Sequence, residues 1–517
     1  MRINEENTVA NEVNEDIETL THEQIISFLP RDILKFKDLK RLAFKLSNYY
    51  KNNLIFAEFK GDKNKYVLPL ASGQYEKLRL DTNIAFGITL QELTGSSIKS
   101  KVKRLIDANY LAKKLNHVAS IYREVINFSS SKDTYVTKYT LKKYLAKKEF
   151  EQDYLENSIR ITEDGRCYNL ESLSKKKKAK AHEVVGNCKQ LAEIAEHNND
   201  HWLAATITCP PVFHIKPVSG KSSWNGTLTP KDNNNFLSKI WRNLLRKLHR
   251  LNISVYGHWT KEPHKSMAIH MHVLIYCQIS DIQIIKKWLN KFAEAQFNEF
   301  DSDFKQGVSV LFDQGHCQNI HVSGNKHHSV ISNYINKHIL NCLNAPKIKA
   351  QSLTSEKAYL YDKPDSEILD DKIMAHSEKF SYRRYDFFGV EGSLTVWREL
   401  KHLKKRAIET SSSSEEFKAL LNIASKNNLR EFLTSPFRKA ISLLYAGDNK
   451  NNIGITSNKY GEKSRKISGI SILGKDYITR DSFYGINQYI VFISKIMVFL
   501  MIVFDSSSDN SNETAII

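Results

Sequence analysis

Residues 255–276 read VYGHWTKEPHKSMAIHMHVLIY, and how this stretch folds decides how the rest must be arranged around it. Two apolar extended runs, Ile253–Trp259 and Ile269–Tyr276, flank a turn around Pro263–Ser266, a pattern that predicts an antiparallel strand pair. In a strand, residues two apart point to the same face, so His270 and His272 can reach one metal ion together. With 18 histidines in 517 residues, chance supplies about half of one His-x-His. The spacing alone therefore reads as well as two structural histidines, and the surroundings have to decide.

Upstream, Leu203–Thr208 is rich in β-branched residues and ends at Pro210-Pro211, which predicts a strand stopped by proline. Thr229-Pro230 supplies an N-cap and a first-turn proline for a helix running to Leu251. That helix has two stripes: Leu237, Ile240, Trp241, Leu244, Leu248 and Leu251 are apolar, while Lys239, Arg242, Arg246 and Arg250 form a basic row suited to phosphates or simply to water. Downstream, Ser280–Gln283 reads as a capping box opening a helix with Ile285, Trp288, Leu289 and Phe292 inward. A further strand is expected at Val308–Phe312. Ser329–Leu343 then reads as a helix on which Tyr334 and Lys337, three apart, share a face; a helical tyrosine is more often a packing residue than a reactive one.

Composition bounds the partners. The 76 Lys+Arg exceed the 57 Asp+Glu, for a formal charge of +19, and such an excess calls for a polyanion, with nucleic acid first and an anionic membrane surface second. Residues 101–150 alone carry twelve Lys/Arg against four Asp/Glu, either a solvated helical face or a surface that follows a DNA backbone. Six cysteines (Cys167, Cys188, Cys209, Cys277, Cys317, Cys342) lack any C-x-x-C spacing, which speaks against a disulfide framework or zinc ribbon and fits a reducing cytoplasm. The acidic N-terminus has no apolar core of a secretory signal. The apolar run Tyr489–Phe504 is interrupted by Lys495 and falls short of the roughly 20 residues a membrane span needs, so membrane attachment is not expected.

A His-x-His strand pair, a basic helix and a downstream helix offering Tyr and Lys are what phosphodiester transesterification requires: a Lewis acid on the phosphate, a nucleophile and a cation for the transition state. At these residues the chain resembles the phage replication gene A proteins, rolling-circle initiator endonucleases of the HUH superfamily. The likeness rests on an ordered series: TITCPP (206–211), WNGTLTP (224–230), VYGHWTKEPH (255–264), HMHVLIY (270–276), NYINKH (333–338), RRYDFFGVEGSLTVWREL (383–400) and NKYGEKSRKISGI (458–470).

The resemblance implies an α+β HUH endonuclease domain over 199–345, with a central antiparallel sheet of about five strands and flanking helices. Four of those strands are legible in the chain itself. The resemblance covers roughly residues 100–475 and so implies a C-terminal family region at 346–475, mainly helical; composition and pattern mark a basic helical region at 31–198, an acidic lead-in at 1–30 and an atypical tail at 476–517. His270 and His272 match the metal-binding pair. Glu262 is the candidate third ligand, with His264 as the alternative. Ligand softness admits zinc, whereas the resemblance implies Mg²⁺ or Mn²⁺. Tyr334 matches the nucleophile that forms a 5′-phosphotyrosine link and frees a 3′-OH, and Lys337 matches a lysine of the same motif. Where the family commonly carries a second tyrosine, this chain has His338, which leaves a single-tyrosine cycle or an impaired enzyme. The turn KSMA also lacks the glycine usual there. The implied partners are single-stranded or supercoiled origin DNA and the host's replicative helicase and polymerase, in the cytoplasm of a bacterial host. A transposase or relaxase shares the chemistry, and a non-catalytic DNA-binding prophage remnant is the alternative of another class.

Overall fold

The computed structural model describes residues 30–53, 98–156, 172–217, 221–302, 308–316, 365–404, 415–426, 428–445 and 467–479, with short segments at 57–58, 66–67, 159–161, 167–169, 456–460 and 463–464. Helices α1 (Leu39–Asn53), α2 (Ile98–Leu105), α3 (Ala108–Ser130), α4 (Lys138–Glu156) and α5 (Ser172–Asn198) precede the main sheet. The α3 helix starts at Asp107, whose carboxylate accepts from the Asn109 and Tyr110 amides, satisfying donors that the first turn leaves open. Its inward face includes Leu111, Leu115, Ile121, Val125 and Phe128. Buried Glu124 on the same helix accepts from the Thr137 amide at 2.7 Å and the Thr137 hydroxyl at 2.8 Å, locking the α3–α4 connection.

The main sheet contains β1 (His201–Ile207), β2 (Tyr256–Pro263), β3 (Ile269–Cys277), β4 (Val308–His316) and β5 (Tyr385–Phe388), in the order β4-β1-β3-β2-β5. Every pairing is antiparallel. Between the strands run α6 (Pro230–Arg250), α7 (Ile282–Asn298) and α8 (Asp365–Lys379). The expected sheet of five antiparallel strands is therefore present, and its edge strand β5 comes from beyond residue 345. The layer is completed by α9 (Glu391–Lys404), α10 (Glu415–Ser425), α11 (Leu429–Thr434) and a small sheet of β6 (Ile441–Tyr445), β7 (Ile467–Ile472) and β8 (Lys475–Ile478).

The period-two rule divides the core. Ile269, Met271, Val273, Ile275 and Cys277 of β3 share a cluster with Leu203, Ala205 and Ile207 of β1, Phe236, Ile240 and Leu244 of α6, and Ile285 and Leu289 of α7. Leu274 and Tyr276, pointing the other way, pack with Trp202, Ala204, Leu191 of α5, and Leu394 and Trp397 of α9. His270 and His272 continue this second face. Apolar residues on both faces explain why these strands read as near-continuous hydrophobic runs instead of a clean alternation.

The Thr229 cap of α6 forms as expected, as a capping box in which Thr229 Oγ1 receives the Asp232 amide and Asp232 receives the Thr229 amide. Other expectations are corrected. The box at Ser280–Gln283 does not form; the chain enters α7 through a 3₁₀ turn, Ile279–Asp281, with no side-chain cap bond. Leu251 is 41% exposed at the C-cap of α6. Trp288 and Phe292 are half-buried and stack on each other at 5.5 Å, shielding each other at the rim of α7. Strand β2 starts at Tyr256 and runs to Pro263, later than the expected Ile253–Trp259. The expected helix Ser329–Leu343, with Tyr334, Lys337 and His338, lies outside the described residues, as do the lead-in through residue 29 and the run Tyr489–Phe504. No described helix is long and apolar enough to cross a membrane.

Gly257 in β2 has φ 151°, and a Cβ there would fall 2.0 Å from the Leu274 carbonyl oxygen and 3.0 Å from the Phe388 ring. Any side chain must push β2 away from both of its neighbours. Gly257→Ala is expected to lower the unfolding free energy by about 3 kcal/mol, measured by urea denaturation; a loss below about 0.5 kcal/mol would contradict the close packing described.

Candidate metal centre

The register of β2 against β3 places Glu262 opposite His270 and Thr260 opposite His272, while β1 places Thr206 opposite His272 on its other side. Cross-strand neighbours have Cβ atoms only about 5 Å apart, so this pairing alone gathers the side chains. One ligand atom from each of Glu262, His270 and His272 lies within 4.8 Å of the others. The two imidazole centroids are 4.9 Å apart with planes at 75°. His272 is buried, and Glu262 and His270 are half-buried, leaving an open side.

The supporting groups orient these donors. Thr206 Oγ1 is hydrogen-bonded to His272 Nδ1 at 2.9 Å, and an Nδ1–H donated there leaves Nε2 with the free lone pair that a ligand needs. Thr260 is fully buried, yet its hydroxyl has no hydrogen-bond partner among the described residues. An orphan oxygen beside a two-histidine, one-carboxylate set is what a site for a cation and its bound oxygen ligands presents. The residues therefore fit a divalent metal.

His264 takes a different part. Its Nδ1 pairs with Ser266 Oγ at 3.0 Å, the same hydroxyl that His214 Nδ1 meets at 2.8 Å. Its ring centroid lies 6.4 Å from that of His270, and it is not among the three clustered donors. Burial, followed by the charges of His264 and His270, pushes the His214 imidazole down to about 4; burial and then Lys265 lower His264.

The β2–β3 turn is fastened from outside. Met267 takes the left-handed φ of 70°, the conformation a glycine would supply more cheaply. Its side chain is fully buried in the core, and His376 Nε2 of α8 holds its carbonyl at 3.1 Å. The missing glycine is therefore replaced by packing. Tyr135, in the α3–α4 connection, also has a left-handed φ of 69° and donates its amide to the Lys265 carbonyl at 3.2 Å. Burial, then the negative charge of Glu262, raises its phenol above the ordinary tyrosine range. Nothing in the sequence singles out Tyr135, Thr206 or Thr260; only the register and the turn contacts bring them to the site.

The basic row lies elsewhere. Lys239, Arg242, Arg246 and Arg250 are all exposed on the side of α6 opposite to the residues it buries, and α6 covers the face of the sheet that does not carry His270 and His272. Lys239 pairs with Glu299 at 2.9 Å, an exposed contact of little energetic weight. On this same covered face, Lys261 donates to Asn234 Oδ1 at 2.6 Å and Ser238 Oγ at 2.8 Å, and burial, then nearby Arg242, pushes its ammonium down to about 7.

An antiparallel α+β layer with a His₂Glu cluster across two paired strands defines a candidate metal-binding protein. The chain belongs to the bacteriophage replication gene A protein family, whose model matches residues 82–341, a span that encloses the whole cluster. It is 28% identical over 222 residues to the "Replication protein" of Haemophilus phage HP1, covering 43% of this chain and 26% of that protein. It is 23% identical over 411 residues to the "Replication gene A protein" of Escherichia phage 186, covering 74% of this chain and 54% of that one. It is also 24% identical over 238 residues to a "Probable replication endonuclease from prophage-like region 1" of Salmonella typhi, covering 44% of this chain and 28% of that protein. The chain thus spans between about a quarter and just over half the length of these relatives. No solved structure matches it.

Thr206→Val keeps the shape of the strand but removes the partner of His272 Nδ1. Mn²⁺ affinity, read from the free-ion signal in paramagnetic resonance titrations, is expected to fall 10- to 100-fold with the melting temperature little changed. Unaltered affinity would contradict the orienting role of Thr206.

Proposed function

We propose that this chain is a metal-dependent, site-specific single-strand DNA endonuclease of the HUH type that nicks a replication origin and leaves a 3′-OH for rolling-circle synthesis. The observation that carries this reading is the cross-strand cluster of Glu262, His270 and His272, lying within the family-matched residues. The relatives named for replication and for endonuclease activity support it, as does the formal charge of +19, which suits a DNA partner.

Glu262, His270 and His272 would hold Mg²⁺ or Mn²⁺, which when bound supplies Lewis-acid polarisation of the scissile phosphate. Thr206 keeps His272 in the ligating orientation, and the hydroxyl of Thr260 faces the same space as a donor or acceptor. Tyr334 is the nucleophile. Its phenolic oxygen bonds to phosphorus, the bond from phosphorus to the 3′ oxygen breaks, and the phenolic proton finishes on the released 3′-OH. The product is a 5′-phosphotyrosine, with no net change in the number of phosphoester bonds. The ammonium of Lys337 offsets charge that builds on the phosphate oxygens. With His338 where the family commonly has a second tyrosine, one strand transfer per motif is the chemistry available to Tyr334.

Lys239, Arg242, Arg246 and Arg250 serve, in this reading, DNA away from the reacting phosphate, because they lie on the outer side of α6, which packs on the sheet face opposite the centre. Their contribution is to affinity and its salt dependence. Origin DNA, single-stranded or supercoiled, is the substrate; the host helicase and polymerase act on the exposed 3′-OH, in the cytoplasm of a bacterial host.

The covalent intermediate provides the test. Incubated with single-stranded origin DNA and Mn²⁺, the wild-type protein is expected to yield an SDS-resistant protein–DNA adduct, and Tyr334→Phe none. An adduct that persists in Tyr334→Phe would overturn Tyr334 as the nucleophile, and none in the wild type would overturn the enzyme reading and favour a non-catalytic DNA-binding protein.

A further inference from the structure

The seam between α6 and α7 carries a set of side chains that the metal centre does not use. The two helices run antiparallel along it: Lys239, early in α6, meets Glu299 just past the end of α7, and Lys247, late in α6, meets Trp288 nearer the start of α7. Together they hold nine Lys/Arg against two acidic residues, Asp232 and Glu294. Asp232 is already taken up in the capping box with Thr229, so the outer surface of the pair is strongly basic.

Within this basic surface sits an aromatic pair. Trp288 and Phe292, one helical turn apart, stack at 5.5 Å with 28° between their planes. Both are half-buried, whereas Trp241 and Trp397, which serve the core, are 6% and 0% exposed. The Nζ of Lys247 lies 4.3 Å and that of Lys291 5.0 Å from the centre of the Trp288 ring, inside the range of a cation–π contact. Two ammonium groups on different helices thus flank one indole at the surface. The charge calls for a polyanion, and the flat ring calls for a polyanion with flat faces of its own. Single-stranded DNA offers both, a phosphate at every step and bases free to stack. A duplex offers the phosphates but hides its base faces, and an anionic membrane offers charge without a flat partner for the ring.

We propose that the α6–α7 seam is a binding surface for single-stranded DNA, with a base laid against the Trp288–Phe292 pair and the neighbouring phosphates met by Lys247 and Lys291. The lysine stems are flexible, so an ammonium that covers the indole in the free protein moves to a phosphate when a base takes its place. Both helices pack on the sheet face opposite the metal centre, and the surface therefore holds a stretch of strand apart from the phosphate being cut. The inference rests on the proposed DNA partner, and on neither Tyr334 nor the metal.

The test uses the full chain in EDTA, which keeps metal chemistry out of it. Fluorescence anisotropy follows binding to a labelled thymidine homopolymer and to a labelled duplex of the same length, and co-sedimentation follows binding to phosphatidylserine vesicles. Trp288→Leu keeps an apolar contact with the core but loses the flat face; it is expected to bind the homopolymer at least about fivefold more weakly and the duplex within about twofold of the wild type. Trp288→Phe, which keeps a flat face, is expected to bind the homopolymer more tightly than Trp288→Leu does. Lys247→Ala is expected to lower the log–log salt slope for the homopolymer by about 0.7, and this measurement decides if circular dichroism finds Trp288→Leu unfolded. Unchanged homopolymer binding in Trp288→Leu, equal weakening toward homopolymer and duplex, no recovery in Trp288→Phe or an unchanged slope in Lys247→Ala would overturn the proposal. So would vesicle binding that Trp288→Leu abolishes while homopolymer binding stands, which would assign the surface to a membrane. Failure of the nicking reading looks different: no covalent adduct forms, while the homopolymer is still bound with these sensitivities.

Discussion

The register between β2 and β3 is the constraint on which the rest depends. Because side chains alternate between faces, a slip of one residue would turn His270 and His272 into the core and bring Met271 to the site. Several contacts prevent that slip. The amide of Ile269, directly before His270, donates to buried Asn233 of α6; His376 fixes the Met267 carbonyl from α8; and Gly257 allows β2 to approach Leu274 and Phe388 closely. The cost of a left-handed Met267, of order 1 kcal/mol, is offset by burying its side chain.

The same register divides the molecule's chemistry between two faces. One is closed by α6 and α7 and is largely apolar; its buried polar groups include Asn233, which accepts the Ile269 amide, and Lys261, whose ammonium is pushed down by burial and donates to Asn234 and Ser238. The other is closed by α5, α9 and α11 over Leu274 and Tyr276, but beyond them it carries donors: Thr206, Thr260, Glu262, His270 and His272. His258 marks the border. It is fully buried beside Phe387, with both ring nitrogens lacking hydrogen-bond partners among the described residues, and burial pushes it down to about 4, which makes it a neutral core residue. Histidine content thus says little here without strand parity.

Much of this was legible in the chain. The β-branched run before Pro210, the Thr229-Pro230 helix start and the flanked His-x-His identify β1, α6 and β3, because each has a strong local signal. The edge strand β5 did not announce itself: Tyr385–Phe388 is four residues long and acquires strand character only by pairing with β2. The Ser280 capping pattern misled because a 3₁₀ turn uses those residues first. Thr206 and Thr260 look like ordinary β-formers, and their meaning comes from facing His272 across two different strands. Glu262 was preferable to His264 on the expectation that a neighbouring strand completes the set, and the pairing with His270 is consistent with that. The nucleophile rests on the resemblance at NYINKH, since a tyrosine and lysine three apart on a helix are common.

The central claim is that two imidazoles of one strand and a carboxylate of the next hold a single divalent ion. Pulsed paramagnetic resonance on the Mn²⁺-loaded full chain, with ¹⁵N-histidine incorporated, measures this directly. Two histidine nitrogen couplings are expected, one disappearing in His270→Ala and the other in His272→Ala, with weakened Mn²⁺ binding in Glu262→Ala. A spectrum without nitrogen coupling, or couplings that survive both histidine replacements, would contradict a metal centre at this strand pair.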